Sequence, residues 1–365
     1  MSANAHIKPL TSLRFFAAYW VVLFHYWPKL ALAFTPALVA KGYMGVELFF
    51  VLSGFILCHV YLPAVETGRF AYRDFLWARL ARVYPMHLAT LIGVGLMAGL
   101  ALAVGLSVDP NVLSLRALPA NLALVQAWGF TPVAGWNHPS WSISAEWFAY
   151  LSFPAFAAAA LAVRRRPLLA VAGALAFMAG LYAAFESLAG FPLTRATIAW
   201  GALRIVPCFA LGCALFLAHR AYATHRRTAL AGALFFGAAV IAFAQFEAPD
   251  ALVVAAGGGL IIALAQGSKA GSRLGSHPVL VYLGEISYSI YMVCIPWQLL
   301  FANLAAKILN LSGKQLPWYA WLILLAGPVP LAAAAHHLIE KPARDRLKLW
   351  RASRPAHKLA TVNAG

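Results

Sequence analysis

The first apolar segment of the chain, LRFFAAYWVVLFHYW, carries two ionisable side chains that are separated by ten uncharged residues. Eleven residues make about three turns of an α-helix, so Arg14 and His25 lie on one helix face, about 16 Å apart along the axis. A cation near the membrane boundary and a titratable imidazole deeper inside suit a track for an anionic ligand that has a reactive end. Structural alternatives stay open, because Arg14 can extend to lipid head groups and His25 can hydrogen-bond between helices.

A third ionisable group, Glu146, lies in the segment NHPSWSISAEWFAYLSFP, and Ser142 shares its helix face because the two residues are four apart. A charged side chain at the membrane centre costs about 2.5–3.5 kcal/mol and therefore needs a partner. We expect Glu146 near the depth of His25, where a carboxylate can orient the ring and stabilise imidazolium. The structural alternative is an ion pair with an outer arginine such as Arg195 or Arg204.

Further polar side chains in apolar segments are candidates for substrate contacts. Glu47 opens the second apolar segment, GYMGVELFFVLSGFIL, whose glycines permit close helix packing and explain the larger part of that motif. Tyr288 and Tyr291 share a helix face with Glu285 and can line a cavity. The predicted substrate-binding residues are Glu47, Ser142, Tyr288 and Tyr291.

The basic segment RFAYRDFLWARLARVYP contains two arginines, Arg79 and Arg82, that point the same way on a helix. Two guanidinium groups at this spacing make a phosphate clamp, because guanidinium geometry suits bidentate contacts with phosphate oxygens. The alternative is that this loop is basic only because cytoplasmic loops are, and that its aromatic residues mark an interfacial helix.

The amino-acid composition predicts the kind of helices that position these residues. The chain is 62% hydrophobic and 11% charged, with a mean hydropathy of +0.76, whereas soluble domains are about 45–50% apolar and about 25% charged. We therefore predict an all-α polytopic membrane protein. Its ten predicted transmembrane helices are 13–34, 42–62, 83–106, 141–163, 168–189, 199–218, 228–246, 249–266, 280–304 and 318–338. The apolar piece 118–130 is too short to cross and is predicted to be re-entrant or interfacial.

Charge predicts the orientation of the chain. With both termini in the cytoplasm, 21 of the 28 Lys and Arg residues fall on the cytoplasmic side, as the positive-inside rule requires. The net charge of +17 then reflects topology and contact with anionic lipid, and it does not indicate nucleic-acid binding. We predict one membrane domain, residues 1–345, followed by a short basic cytoplasmic tail, residues 346–365.

The four cysteines, Cys58, Cys208, Cys213 and Cys294, all lie in apolar segments and have no metal-binding spacing. Buried apolar packing is their expected role. The sequence therefore predicts no metal site.

Six motifs, taken together in chain order, indicate which proteins this sequence resembles. They are Arg14 with His25, GYMGVELFFVLSGFIL, Arg79-Leu-Ala-Arg82, PSWSISAEWFAYL, LGEISYSIYMVCIP and a closing IEKPARDRL. With them, nearly the whole chain resembles the integral-membrane acyltransferase family of the third type, which is best known for bacterial enzymes that O-acetylate surface polysaccharides. The tyrosine-rich motif of that family often ends in histidine before its proline, where this chain has Cys294, so no role of that histidine transfers.

The resemblance implies an O-acetyltransferase of the bacterial inner membrane. Its donor would be cytoplasmic acyl-coenzyme A, in most members acetyl-coenzyme A, and its acceptor a glycan or lipid-linked hydroxyl on the other side. His25 would be the catalytic base or a transient acyl carrier, with Arg14 in the same motif and Glu146 as the matching acidic residue. Arg79 and Arg82 would bind the coenzyme A phosphates. The implied partners are membrane lipid and other polysaccharide-biosynthesis proteins.

Two other function classes also fit intramembrane charges and basic loops. A polysaccharide or lipid transporter, or flippase, would move its substrate without covalent chemistry. Its usual sequence features, inverted repeats and paired Gly/Pro-broken spans, are not recognised in this chain. An assembly factor of a polysaccharide export machine would tolerate replacement of both Arg14 and His25.

Overall fold

A computed structural model describes residues 6–105, 107–133, 135–311 and 315–353 of the chain. Within these ranges the protein is all-helical, and an isolated β-bridge joins Leu30 to Leu316. The helices are α1 (Lys8–Tyr26), α2 (Ala37–Ala40), α3 (Gly45–Glu66), α4 (Tyr72–Ala103), α5 (Leu118–Leu122), α6 (Trp141–Leu151), α7 (Phe153–Val163), α8 (Pro167–Ala189), α9 (Gly201–Ala221), α10 (Arg226–Gln245), α11 (Asp250–Lys269), α12 (Pro278–Glu285), α13 (Ser287–Ile308), α14 (Trp318–Ala326), α15 (Pro328–Ala335) and α16 (Lys341–Ala352). The predicted all-helical fold is confirmed.

Eight helical segments of the described chain are long and apolar enough to cross a membrane, and the bent pair α6 and α7 makes a ninth. Helix α1 is not among them, because polar residues such as Lys8 and Arg14 lower its hydropathy. The protein is therefore multi-pass, while the count of ten and the cytoplasmic position of both termini stay predictions. The predicted third span ends on Leu106, which lies outside the described residues, and α4 ends at Ala103.

The first predicted span, 13–34, differs most from the structure. Helix α1 begins earlier, at Lys8, and ends at Tyr26, where a 3₁₀ turn Trp27–Lys29 follows. The turn contains Pro28, which has no backbone N–H group to continue the helix. We call the end of the bundle at which α1 begins the inner face and the end at which it stops the outer face.

The predicted fourth span, 141–163, is not one straight helix. It consists of α6 and α7, which are bent by 58° relative to each other. The proline two residues into the second helix, Pro154, cannot donate a hydrogen bond to the carbonyl group of Tyr150, and its ring crowds that carbonyl. The bend leaves α6 as a short helix that carries Ser142 and Glu146.

Helices α3 and α9 are packed backbone to backbone. A Cβ atom on Gly54 would clash with the carbonyl oxygen of Phe209, and one on Gly212 would clash with the carbonyl oxygen of Val51. Each helix therefore presents its glycine to the other, which allows a close approach that any larger side chain prevents. This contact fixes α3, one wall of the site described below.

Helix α1 is held by the same kind of contact on two sides. Gly45 of α3 faces the carbonyl oxygen of Ala17, and Gly284 of α12 faces the carbonyl oxygen of Thr11. The predicted packing role of the second-span glycines is thus seen at Gly45. The two contacts fix the rotation of α1 about its own axis. They thereby fix the direction in which the helix face with Arg14 points.

The apolar piece 118–130 does not cross the bundle. It forms α5 and a run of turns in which Leu124 has a positive φ of 58°. The backbone N–H group of Ala127 donates to Ser144 Oγ at 3.0 Å, and Gln126 Nε2 donates to Ser140 Oγ at 3.0 Å. This piece therefore supports the first turns of α6.

The predicted boundary at residue 345 falls inside α16. That helix packs on the first turns of α4, where the Trp77 and Trp350 rings lie 4.9 Å apart and Trp77 Nε1 donates to the Leu347 carbonyl oxygen at 2.9 Å. Part of the predicted tail is thus folded against the membrane domain, and residues 354–365 lie outside the described residues.

Candidate active site

A cavity of about 260 Å³ lies between α1, α3, α4, α6 and α13, and the segment just before α1 forms part of its wall. The cavity is therefore in the inner half of the bundle. Seven of the nine predicted site residues line it, and they come from four helices: Arg14, Arg79, Arg82, Ser142, Glu146, Tyr288 and Tyr291. The other two, His25 and Glu47, are outside its lining.

Positive charge dominates one side of the cavity. Arg82 is close enough to Arg14 for the two guanidinium charges to repel each other, and neither makes an ion pair within the described part of the chain. Arg79 Nη2 donates to the Tyr61 hydroxyl at 3.2 Å, while its buried Nε has no hydrogen-bond partner. These free donors fit an anionic group such as phosphate.

Glu146 supplies negative charge to the same cavity. Its Oε1 accepts a hydrogen bond from Ser53 Oγ at 2.8 Å, and Tyr150, one turn further along α6, is within hydrogen-bonding reach of the carboxylate. The Glu146 charge also attracts the guanidinium group of Arg14. In this structure Glu146 therefore balances the charge of Arg14.

A second carboxylate near the arginines, Glu340, was not predicted from the sequence as a site residue. Its Oε2 accepts from Ser289 Oγ at 2.8 Å and is hydrogen-bonded to His336 Nδ1 at 2.9 Å, and its charge acts on Arg14 and Arg82. It ends a single π-helical turn that precedes α16, a widened turn that is frequent at functional sites. The closing motif IEKPARDRL contains this residue and is the signal that could have found it.

Hydrogen bonds that lead to backbone carbonyl groups hold three polar side chains of the cavity wall. Ser142 Oγ donates to the Tyr291 hydroxyl at 2.9 Å, and that hydroxyl donates to the carbonyl oxygen of Pro139 at 3.0 Å. The Tyr288 hydroxyl donates to the carbonyl oxygen of Val83 at 2.5 Å. Both predicted tyrosines thus line the cavity, with their hydroxyl groups engaged by protein.

His25 lies outward of the cavity lining, in the last turn of α1. Its ring is 5.1 Å from the Phe24 ring, its carbonyl oxygen accepts from Gln298 Nε2 at 2.9 Å, and the nearby titratable group is His138. Glu146 lines the cavity and acts on Arg14, whereas the titratable group that acts on His25 is His138, so the structure places Glu146 with Arg14 and not at the His25 ring. His138 was visible in the motif NHPSW but was not singled out.

Glu47 has a different environment from the cavity residues. Its two carboxylate oxygens accept hydrogen bonds from Arg204 Nε at 2.6 Å and Nη2 at 2.9 Å, and the two side chains are 0% and 2% exposed. The Arg204 guanidinium also stands 4.6 Å from the Trp141 ring. Arg204 therefore pairs with Glu47, not with Glu146, and the predicted substrate contact of Glu47 stays a prediction.

A second cavity, of about 650 Å³, lies at the outer face between the ends of α8, α10 and α11. Asp250 in its wall accepts hydrogen bonds from three side chains, Lys41, Tyr43 and Thr194. Arg195 stands over the ring of Tyr43 at 3.8 Å and over that of Phe24 at 5.9 Å. Because Phe24 precedes His25, the wall of this cavity reaches the immediate neighbour of the histidine.

No group of three His, Cys, Asp or Glu side chains within the described ranges could hold a metal ion. The four cysteines are buried and unpaired. That metal takes no part in the chemistry stays a prediction.

The comparisons with known proteins show the family of the chain. The model of a family described as an acyltransferase domain matches residues 8–337. The chain belongs to this acyltransferase family. It is 30% identical over 312 residues to the acyltransferase MdmB of Streptomyces mycarofaciens, and the match covers 79% of this chain and 78% of that protein.

A shorter match joins the chain to protein 2 in the picA locus of Rhizobium radiobacter, at 44% identity over 52 residues, or 14% of this chain and 27% of that protein. No solved structure matches the chain. The suspected family is thus confirmed, and the protein is a multi-pass membrane enzyme that transfers acyl groups.

Proposed function

We propose that this membrane acyltransferase takes an acyl group, in its usual reaction acetyl, from acyl-coenzyme A at the inner face. It transfers the group to a hydroxyl of an acceptor at the outer face, a cell-surface or exported polysaccharide. In this proposal the inner face is cytoplasmic and the membrane is the bacterial inner membrane.

The cluster of Arg14, Arg79 and Arg82 in the inner cavity is the observation that carries the proposal. Three cations in an enclosed site repel one another, and the described carboxylates near them, Glu146 and Glu340, do not form close ion pairs with them. An anionic ligand stabilises such a site. The buried Arg79 Nε without an acceptor fits a phosphate-bearing donor for the same reason.

His25 is the proposed reactive group. In direct transfer, the acceptor oxygen attacks the thioester carbonyl carbon, the hydroxyl proton passes to His25, the carbon–sulfur bond breaks and the thiolate leaves, to be protonated by the imidazolium. In the alternative route the imidazole itself carries the acyl group between donor and acceptor. Both routes need a neutral imidazole at the start. Acyl label that becomes covalently attached to the protein indicates the second route.

The acyl chain must leave the inner cavity to reach His25, which is outside the cavity lining. Hydrogen bonds join Ser142, Tyr291 and the Pro139 carbonyl group in the cavity wall. We propose that donor binding separates these groups. The outer cavity supports approach of the acceptor from the other side, since its wall contacts Phe24 beside the histidine.

Acyl transfer in inside-out membrane vesicles tests the proposal. The vesicles contain their native glycans and receive acetyl-labelled acetyl-coenzyme A, and label is measured on glycan and on protein. We expect His25→Ala to abolish transfer and the pair Arg79→Gln/Arg82→Gln to raise the apparent KM for the donor. The matched controls are His277→Ala and the pair Arg165→Gln/Arg166→Gln, which change exposed residues of the same types.

The outcomes separate the function classes. Transfer that persists in folded His25→Ala overturns the role of the histidine. Absence of any labelled product with folded wild-type protein and with several acyl donors contradicts the donor assignment and favours the transporter, which moves its substrate unmodified.

A further inference from the structure

Helix α16 places positive charge beside the arginines of the inner cavity. Glu340, Arg344 and Lys348 follow one another at intervals of four residues, so they share one helix face. Lys348 is close enough to Arg344, and to Arg79 and Arg82 of α4, for these charges to repel its own. The cationic site therefore continues from the cavity onto the C-terminal helix.

The described carboxylates only partly offset the charge of this extension, and Asp345 also attracts Lys348. Arg344 is 3.7 Å from an oxygen of Glu340 and 3.7 Å from one of Asp345, which is 52% exposed. The Nε atoms of Arg344 and Arg79 are both buried without a hydrogen-bond partner. These two buried N–H groups are therefore available to an acceptor such as a phosphate oxygen.

The cations of α16 are held in place by packing. Trp350 lies against Trp77, Trp77 Nε1 donates to the Leu347 carbonyl oxygen, and Arg351 pairs with Asp74 at 2.7 Å. The helix is thus fixed on α4, next to the arginines that line the cavity. A fixed cationic surface binds an anion without the entropy cost of ordering a flexible segment.

The inner cavity is too small for a whole coenzyme A molecule. Its volume is about 260 Å³, whereas pockets that enclose drug-sized ligands measure about 300–1,000 Å³. The cavity has room for only part of the donor, so part of the nucleotide, with at least one of its phosphate groups, has to lie outside it.

We propose that Arg344 and Lys348 bind a phosphate group of the acyl-coenzyme A nucleotide that lies outside the cavity, while the arginines of the cavity bind the phosphates nearer the pantetheine arm. This inference rests on the donor of the proposed function. Both residues lie beyond the part of the chain that the family model matches, which ends at residue 337. The same two cations suit the phosphate of an anionic lipid head group, and the experiment separates the two sources.

Binding is measured by titration calorimetry on the full chain in nanodiscs made of phosphatidylcholine only, with coenzyme A and with pantetheine, which lacks the nucleotide. We expect Arg344→Gln and Lys348→Gln each to weaken coenzyme A binding about tenfold, because each removes a charge-assisted contact, and to leave pantetheine binding unchanged. Lys348→Arg keeps the charge and is expected to retain binding. Arg346→Gln, an exposed residue of the same helix, is the matched control.

Equal affinity of wild type and both Gln variants for coenzyme A overturns the inference. The inference is also overturned if the affinities of wild type and the Gln variants differ only when the nanodiscs contain phosphatidylglycerol. That result would assign the two cations to lipid. Wild-type protein that is folded but binds no coenzyme A contradicts the proposed donor itself, which is a separate failure.

Discussion

At the scale of single residues, two carboxylates in neighbouring helices have different partners and different exposure. Glu47 accepts two hydrogen bonds from Arg204 and is sealed from solvent, whereas Glu146 is bonded to the neutral Ser53 and lines a cavity. A carboxylate that is saturated by a cation contributes to structure, and one that faces a cavity is available to a ligand. The two residues are therefore expected to affect different properties.

Glu47→Gln is expected to destabilise the protein by about 3–5 kcal/mol, because it leaves the buried Arg204 charge without its partner. Thermal unfolding in detergent micelles measures this as a lower Tm. The control is Glu66→Gln, which breaks the more exposed pair with Arg220 and is expected to cost less than about 1 kcal/mol. Equal losses for the two variants would contradict the structural role of Glu47.

Spacing predicted the cation cluster well but not the partners of the carboxylates. Arg79 and Arg82 are three residues apart on one helix, so their common direction follows from helix geometry. The depth of Glu146 depends instead on where α6 begins, which the turns around residues 119–140 decide. Glu340 reaches the site through the fold, more than 250 residues after Arg82, and a local pattern cannot indicate that.

At the scale of elements, the site depends on the close contact between α3 and α9. Each helix presents a glycine to the backbone of the other, and the wall of the inner cavity formed by α3 is fixed by this contact. Any side chain at either glycine has to push the two backbones apart.

Gly54→Ala and Gly212→Ala are therefore each expected to lower the Tm and the yield of folded protein, because the added Cβ meets rigid backbone and not a movable side chain. Gly93→Ala in α4 is the control, since a Cβ there meets nothing within 4 Å. That change is expected to be neutral or to stabilise by about 0.5–1 kcal/mol. If Gly54→Ala and Gly93→Ala behave alike, the close packing of α3 and α9 is not important for stability.

Apolar runs predicted most helices of the bundle, because a segment in lipid must satisfy its own backbone hydrogen bonds. They did not predict the early end of α1 at Tyr26 or the bend between α6 and α7, which prolines cause locally. Nor did they predict that α16 folds onto α4, since that contact depends on Trp77 and Trp350 meeting in space.

At the scale of the whole molecule, two cavities lie on opposite faces and His25 lies beyond the end of the inner one. The inner cavity is lined by the arginine cluster, and the wall of the outer cavity reaches Phe24. The proposed reaction uses this arrangement as a direction, with the phosphate-bearing donor bound at the inner face and the acceptor at the outer face.

The sidedness of the reaction tests this central claim most directly. Labelled acetyl-coenzyme A, which does not cross membranes, is supplied to sealed inside-out vesicles and to sealed right-side-out vesicles, and labelled glycan is measured in both. The account predicts transfer only when the donor reaches the inner face, with label on glycan of the opposite side. Equal transfer from both faces, or label only on the donor's own side, would contradict it.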